Sequence, residues 1–278
     1  MNVIDTGTNE LLCEIRQRVA VVTLNKPHKK NALGDVLTPA LRTVLAELDK
    51  RSDVGCVMIT GAGDAFCAGG DVSGMGQNSG SALAHGKDEQ QVKAAKVEVL
   101  LEKQRTLTGR LYGLSKPTVA ALPGAAAGAG MSIALACDLR IASEQAFFVT
   151  AFKNIGLSGD YGASWFLPRL VGLGRAKALF YRSERLGAEA ALKIGLVDEV
   201  FAVEDFAQAA FGYCAEIAAG PPEALARMKQ NLQMGLHQSL DDSLLLEAEH
   251  LIESMDSDES KEAISAFMAK RPPIFSAQ

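Results

Sequence analysis

Two glycine-rich turns, about sixty residues apart, constrain the fold of this chain more than any other feature. The first turn, Phe66 to Asp71, follows an apolar stretch at Cys56 to Thr60. The second, Pro123 to Gly130, follows Thr118 to Leu122 and opens the apolar segment Met131 to Cys137. A strand that ends in such a turn and then starts a helix leaves peptide N–H groups unpaired at the positive end of the helix. Two such turns that face each other would form an oxyanion hole, which indicates chemistry at a carbonyl group.

The order of predicted elements favours an α/β fold with mainly parallel strand pairing. Apolar residues at helical spacing predict helices, and short apolar runs bounded by turn residues predict strands. Strands that alternate with helices are typical of parallel sheets covered by helices. The predicted elements are, in order, a strand or hairpin at Glu14 to Leu24, a helix at Asp35 to Lys50, a strand at Val54 to Thr60, a helix at Glu89 to Tyr112, a strand at Thr118 to Leu122 and a strand at Asp138 to Ser143.

The pattern becomes entirely helical near residue 203. The sequence therefore predicts a core at residues 1–202 and a helical region at residues 203–278. A Gly- and Ser-rich stretch, Ser73 to Gly86, predicts a surface loop within the core. The helices predicted in the C-terminal region are Val203 to Ala219, Pro222 to Met234, Ser239 to Ser254 and Ser257 to Ala269.

Composition and charge exclude several classes of protein. A net charge of −5 argues against a nucleic-acid partner, and no apolar run approaches the roughly 20 residues that span a membrane. The first residues carry no signal-peptide pattern. The five cysteines and four histidines are scattered without metal-ligand spacing, so we expect reduced thiols, a cytoplasmic location and no metal site.

Six groups of residues form a second pattern that extends through nearly the whole chain. In order and spacing they resemble the crotonase, or enoyl-CoA hydratase/isomerase, superfamily. The groups are Leu24 to Pro27 with Asn31 to Leu33, Ile59 to Gly63 with Phe66 to Asp71, Lys116 to Ala120, Ala127 to Gly130, Cys137 to Ala142 and Phe267 to Arg271.

This resemblance implies a crotonase-like spiral of ββα units with a helical C-terminal region used for trimerisation, in a homotrimer or a dimer of trimers. It also implies an acyl-CoA substrate and no separate cofactor, because CoA is part of the substrate. Carried over by position, the backbone N–H groups of Gly70 and Ala129 are the two oxyanion donors. The alternative is that the glycines serve only the backbone freedom of tight turns. The neighbouring residues expected to line the substrate site are Ala32, Ala68, Gly69 and Asp71.

The chain departs from the family at the two positions where family hydratases carry glutamates. These positions align with Ser132 and Phe152, and neither residue can activate water as a carboxylate does. One carboxylate, Asp160, lies in an apolar, glycine-rich stretch where its pKa is expected to be raised. It is predicted to act as a proton shuttle, or alternatively as the N-cap of a helix at Gly162 to Val171.

Charged and aromatic residues supply the remaining candidates for substrate binding. The resemblance assigns CoA contacts to Lys26 and, from a C-terminal segment that often belongs to a neighbouring subunit, to Phe267 and Lys270. For the lysines, solvated surface charge is an equal alternative. Trp165 and Tyr161 are expected to shape an aromatic acyl pocket, although a buried tryptophan is more often part of a core. Phe152 is a further candidate for substrate binding.

The function predicted from these residues is isomerisation of 3-enoyl-CoA to 2-enoyl-CoA with Asp160 as the single acid–base group. The segment Ala151 to Leu157, with Asp160 and Trp165, is similar to the ring-1,2-epoxyphenylacetyl-CoA isomerases of phenylacetate breakdown. Three alternatives stay open. These are a hydratase in which Asp160 positions water, a dehalogenase-like hydrolase in which Asp160 attacks an aryl ring, and an inactive acyl-CoA-binding or RNA-binding member of the family.

Overall fold

The computed structural model describes residues 2–71 and 88–275, and the strands within these ranges form two sheets. The strands are, in chain order, β1 (Asn2–Ile4), β2 (Leu11–Arg16), β3 (Val19–Leu24), β4 (Cys56–Gly61), β5 (Ala65–Cys67), β6 (Thr118–Leu122), β7 (Ala125–Ala127), β8 (Leu139–Ser143), β9 (Phe147–Val149), β10 (Leu186–Gly187) and β11 (Glu199–Phe201). The larger sheet has the order β1-β2-β3-β4-β6-β8-β11, and the smaller has the order β10-β9-β7-β5.

Helices cover both sheets and form the C-terminal part of the described chain. They are α1 (Leu37–Leu48), α2 (Glu89–Gln104), α3 (Arg110–Gly113), α4 (Ala129–Ala136), α5 (Ala163–Val171), α6 (Leu173–Arg182), α7 (Ala188–Lys193), α8 (Phe206–Ala218), α9 (Pro222–Met234), α10 (Leu240–Asp256) and α11 (Asp258–Met268). A π-helical turn at Arg105–Gly109 joins α2 to α3, so the long helix predicted over this stretch is confirmed with one local irregularity.

The chain winds as a spiral in which each turn gives one strand to each sheet. The larger sheet receives β4, β6 and β8, and the smaller sheet receives β5, β7 and β9 directly after them. All neighbouring pairs within each of these two sets are parallel. The expected α/β spiral of ββα units is therefore confirmed. The first predicted strand is a hairpin of β2 and β3, whose tight turn places Gln17 and Arg18 at positive φ.

The central strands β3, β4 and β6 of the larger sheet are buried on both faces, which explains why they are continuous apolar runs. Val22 and Ile59 point into the core shared with the smaller sheet, α1 and α4. Val21 and Met58, one residue away on each strand, belong to a second cluster beneath α8. Helix α8 therefore packs on the sheet, although the sequence grouped it with the C-terminal helices.

Helices α9, α10 and α11 match the predicted ones closely, but they bury few side chains in the described chain. Of these three helices, only α11 contains a buried residue, Ala266. The N-caps Ser239 and Ser257 each accept a hydrogen bond from a backbone N–H in the first helical turn. The proposed division at residue 203 stays a prediction, and the loop predicted at residues 73–86 lies outside the described residues. No helix among the described residues has the length and apolar character needed to cross a bilayer.

Candidate active site

The two glycine-rich turns lie in direct contact. A Cβ atom on Gly69, whose φ is +96°, would lie 2.9 Å from the carbonyl oxygen of Ala127 and 3.5 Å from the nitrogen of Ala129. A Cβ atom on Gly130 would collide with the carbonyl oxygen of Cys67. Glycine at these two positions therefore allows the first turn and the N-terminus of α4 to approach closely.

The N–H groups of Gly70 and Ala129 are left unpaired for two different structural reasons. The N–H of Leu33 donates to the Gly69 carbonyl at 2.7 Å, and the Leu33 carbonyl accepts from the N–H of Asp71 at 2.8 Å. Because this bridge pairs Leu33 with the residues on either side of Gly70, the N–H of Gly70 points away from Leu33. Ala129 is the first residue of α4 and has no helical acceptor four residues earlier. Neither N–H has a hydrogen-bond acceptor within residues 2–71 and 88–275.

The second turn opens a helix directly, because α4 begins at Ala129. The residues that follow the first turn, 72–87, lie outside the described residues, so the strand-turn-helix unit predicted there stays a prediction. The helix dipole supports the donor at Ala129, whereas the Gly70 donor depends on the strand-like bridge to Leu33.

A cavity of about 510 Å³ brings the three predicted catalytic positions together. Eight of the predicted site residues line it, together with six further residues. The predicted residues are Gly70, Ala129, Asp160, Ala32, Ala68, Gly69, Asp71 and Phe152, and the six others are Lys29, Gly128, Ala151, Asn154, Ile155 and Leu157.

The carboxyl group of Asp160 is partly buried. Its Oδ1 is buried without a hydrogen-bond partner among the described residues. Burial raises the pKa of Asp160 from 3.8 to about 6. The N-cap of α5 is Gly162, with no side-chain cap bond, so the alternative role of Asp160 as a helix cap is wrong. Its carbonyl oxygen, rather than its carboxyl group, accepts from the N–H of Ala163 at 3.2 Å.

The residues at the two family glutamate positions have other roles here. Ser132 is fully buried in α4, and its hydroxyl lies 3.2 Å from the Gly128 carbonyl and 3.1 Å from the Asp160 carbonyl. It thereby ties the start of α4 to the turn that carries Asp160. Phe152 lines the cavity and stacks on Phe180 with ring centroids 6.0 Å apart.

The basic residues after the first hairpin form ion pairs at the edge of the cavity. Lys29 Nζ lies 2.8 Å from Asp71 Oδ2. Lys26 is buried, and its Nζ lies 3.5 Å from Glu10 and 4.0 Å from Asp71. It lines a neighbouring cavity that shares Asp71 and Asp160 with the first.

Three predicted contacts lie outside the cavity that contains Asp160. Trp165 lines a different pocket, where its ring packs edge-on against Tyr112 at 5.2 Å and beneath the Arg169 guanidinium at 3.8 Å. Its expected contribution to an acyl pocket stays a prediction. Phe267, 81% exposed, and Lys270 lie in the C-terminal region and line no part of the cavity.

Asn31 has a structural role that the sequence analysis did not identify. Its buried side chain accepts from the N–H of Lys26 at 2.9 Å and donates to the carbonyls of Ala62 and Ala65 at 3.0 and 2.8 Å. It therefore ties the lysine-bearing loop to the first turn. Its φ of +57° is a conformation that asparagine tolerates better than most residues, which was the available signal.

Comparison with known proteins agrees with this geometry. A family model described as "Enoyl-CoA hydratase/isomerase" matches residues 14–278. The chain belongs to the enoyl-CoA hydratase/isomerase family. Family membership and the crotonase-type spiral together confirm the resemblance found in the sequence motifs.

Relatives within the enoyl-CoA hydratase/isomerase family include proteins named as hydratases and a protein named as an isomerase. The short-chain-enoyl-CoA hydratase of Clostridium acetobutylicum is 34% identical over 264 residues, covering 95% of this chain and 96% of the relative. The 1,2-epoxyphenylacetyl-CoA isomerase of Escherichia coli K12 is 32% identical over 269 residues, with 96% and 98% coverage. The crystal structure of an enoyl-CoA hydratase from Bacillus anthracis superposes with a TM-score of 0.85 at 29% identity, covering 97% of this chain and all of that one.

Proposed function

We propose that this family member isomerises 3-enoyl-CoA thioesters to 2-enoyl-CoA thioesters. The observation that supports the proposal is the carboxyl group of Asp160, which lies in one cavity with Gly70 and Ala129 and whose buried Oδ1 has no hydrogen-bond partner among the described residues. A pKa of about 6 suits a group that takes up and returns a proton near neutral pH.

In the proposed reaction, the thioester oxygen lies between the N–H groups of Gly70 and Ala129. The ionised Asp160 removes a proton from the γ-carbon, and the electron pair moves through the double bond to the thioester oxygen. The two N–H donors stabilise the resulting dienolate. Protonated Asp160 then returns the same proton to the α-carbon, so the double bond moves and no atom is gained or lost.

The residue types in the cavity favour isomerisation over hydration. Hydration needs a base for water and an acid for the α-carbon. Ser132 and Phe152 supply no carboxylate, and the second carboxylate in the cavity, Asp71, is paired with Lys29. A single acid–base group is sufficient for isomerisation, because the net reaction relocates one proton.

The deciding experiment compares wild type and Asp160→Asn on matched 3-enoyl-CoA and 2-enoyl-CoA substrates. We expect wild type to isomerise the 3-enoyl substrate with little hydration of the 2-enoyl substrate, and the variant to lose isomerisation by at least about 10²-fold. Asp53→Asn, at an exposed aspartate paired with Arg51, is the matched control. Efficient hydration by wild type, or normal isomerisation by Asp160→Asn, would contradict the proposal. CoA binding without either reaction would support an inactive family member.

A further inference from the structure

A second chamber lies beside Asp160, on the side of α1 and α2. It has a volume of about 570 Å³ and shares Gly70, Ala129 and Asp160 with the cavity already described. An acyl chain anchored at the two N–H groups can therefore pass Asp160 and enter this chamber. Its walls carry more charged and hydroxyl-bearing side chains than those of the first cavity, in particular Arg42 and Tyr161.

Arg42 and Tyr161 form a pair of donors in this chamber. Arg42 Nη2 donates to the Tyr161 hydroxyl at 3.2 Å, and Arg42 Nε donates to the Lys103 carbonyl at 3.3 Å. Because the hydroxyl oxygen of Tyr161 already accepts from Arg42, its own proton is available to an acceptor in the chamber. Tyr161 holds a positive φ of 48°, which directs its side chain from a strained turn toward Arg42.

No acidic side chain in the described part of the chain forms an ion pair with Arg42. Within the described residues no carboxylate oxygen lies within 4.0 Å of its guanidinium, and the sequence between residues 72 and 87 contains no Asp or Glu. Lys103 adds a second cation to the same wall. By contrast, Lys26 in the same chamber has Glu10 as an ion-pair partner. A half-buried guanidinium beside a hydroxyl donor favours binding of a carboxylate.

Of the acidic residues of the chamber, Asp160 directly precedes Tyr161 in the chain. Asp35 lies before the start of α1, seven residues before Arg42. Glu10 and Asp71 lie near Lys26. Asp160 remains beside the N–H donors, where the reacting carbons would lie. Arg42 and Lys103 therefore supply the positive charge on the wall formed by α1 and α2.

We propose that Arg42 and Tyr161 bind a terminal carboxylate on the acyl group, so that the enzyme prefers acyl-CoA thioesters of dicarboxylic acids. This inference rests on the acyl-CoA function proposed above and specifies its substrate class. Binding at Arg42 places the far end of the acyl chain, and the oxyanion donors place the near end. The two contacts together would hold the chain beside Asp160.

Binding of unreactive saturated thioesters tests the inference without requiring turnover. Succinyl-, glutaryl- and adipoyl-CoA are each compared by calorimetry with the monocarboxylic acyl-CoA of the same length. Wild type is expected to bind the best-fitting dicarboxylic thioester at least about tenfold more tightly than its counterpart. Arg42→Met is expected to abolish this preference and Tyr161→Phe to reduce it. Arg182→Met, which removes an exposed arginine paired with Glu184, serves as the matched control.

The outcomes separate this inference from the proposed isomerisation. Equal binding of the two thioester classes by wild type would overturn the proposed carboxylate preference. Equal weakening of both classes by Arg42→Met would also overturn it, because Arg42 and Tyr161 would then only support the turn that carries Asp160. If the preference is present but 3-enoyl-CoA is not isomerised, the substrate class stands and the proposed reaction fails. If isomerisation occurs without any preference for the carboxylate, the reaction stands and the role of Arg42 is wrong.

Discussion

The carboxyl group of Asp160 is expected to control the pH dependence of catalysis. It must be ionised to remove a proton, and its pKa is raised to about 6 by burial. We therefore expect kcat/KM to rise about tenfold per pH unit below about pH 6 and to reach a plateau above it. The measurement is kcat/KM for a 3-enoyl-CoA substrate across this range. A rate that stays constant down to about pH 4.5 would show that another group is the base.

The same group is expected to lower stability at neutral pH. Because its folded-state pKa lies above the unfolded value of about 3.9, its stabilising contribution is complete below that value and is lost as the pH rises through about 6. Asp160→Asn should raise the free energy of unfolding at neutral pH by about 1 kcal/mol, a figure reduced from the full pKa effect because the carboxyl group is partly exposed. Thermal melts at neutral pH and near pH 4 test this. A lower melting temperature for the variant at neutral pH would contradict it.

At the scale of elements, the close approach of α4 to β5 positions one oxyanion donor. Gly130→Ala adds a Cβ atom that collides with the carbonyl oxygen of Cys67, so the start of α4 and the Ala129 N–H must shift. We expect a loss of about 10²-fold in kcat, because preorganised donors tolerate little displacement. Gly113→Ala is the matched control, since its Cβ atom would meet no atom within 4 Å. Equal kcat values for the two variants would contradict this role of the close contact.

Element prediction from sequence succeeded where the apolar pattern was long and failed where elements were short. The strands β4, β6 and β8 and the helix α1 have enough residues to show a period. The strands β5 and β7 have three residues each, and the predicted turns contained all of β7 and all but Ala65 of β5. Three residues are too few to show the alternation of a strand, so the second sheet was predicted only through the family resemblance.

At the scale of the whole molecule, α9 to α11 expose many apolar side chains in the single chain, and we expect them to form a subunit interface. The exposed side chains include Met228, Leu232, Leu236, Leu244, Leu245, Leu251, Ile252, Met255, Ile264 and Phe267. Since Phe267 and Lys270 do not line the cavity of their own chain, we further expect that they complete the CoA site of a neighbouring copy.

The double variant Ile252→Asp with Met255→Asp tests both expectations, because charge on α10 disfavours burial in an interface. Sedimentation should give a trimer or a dimer of trimers for wild type and smaller species for the variant. CoA affinity, measured by calorimetry, should fall by about tenfold or more with dissociation. Leu173→Asp, at a similarly exposed leucine on α6, is the control. A monomeric wild type, or unchanged CoA affinity in the dissociated variant, would contradict the shared site.

The sequence by itself determined the alternation of strands and helices, the two glycine-rich turns and the location of Asp160 in an apolar stretch, because these are patterns of neighbouring residues. Only the tertiary structure decided which side chains share a cavity. It brought Ser132 to the backbone of Asp160 across 28 residues and Arg42 to Tyr161 across 119, and it placed Trp165 in another pocket. Contacts at such separations depend on how the sheets and helices pack together, and local periodicity carries no record of that packing.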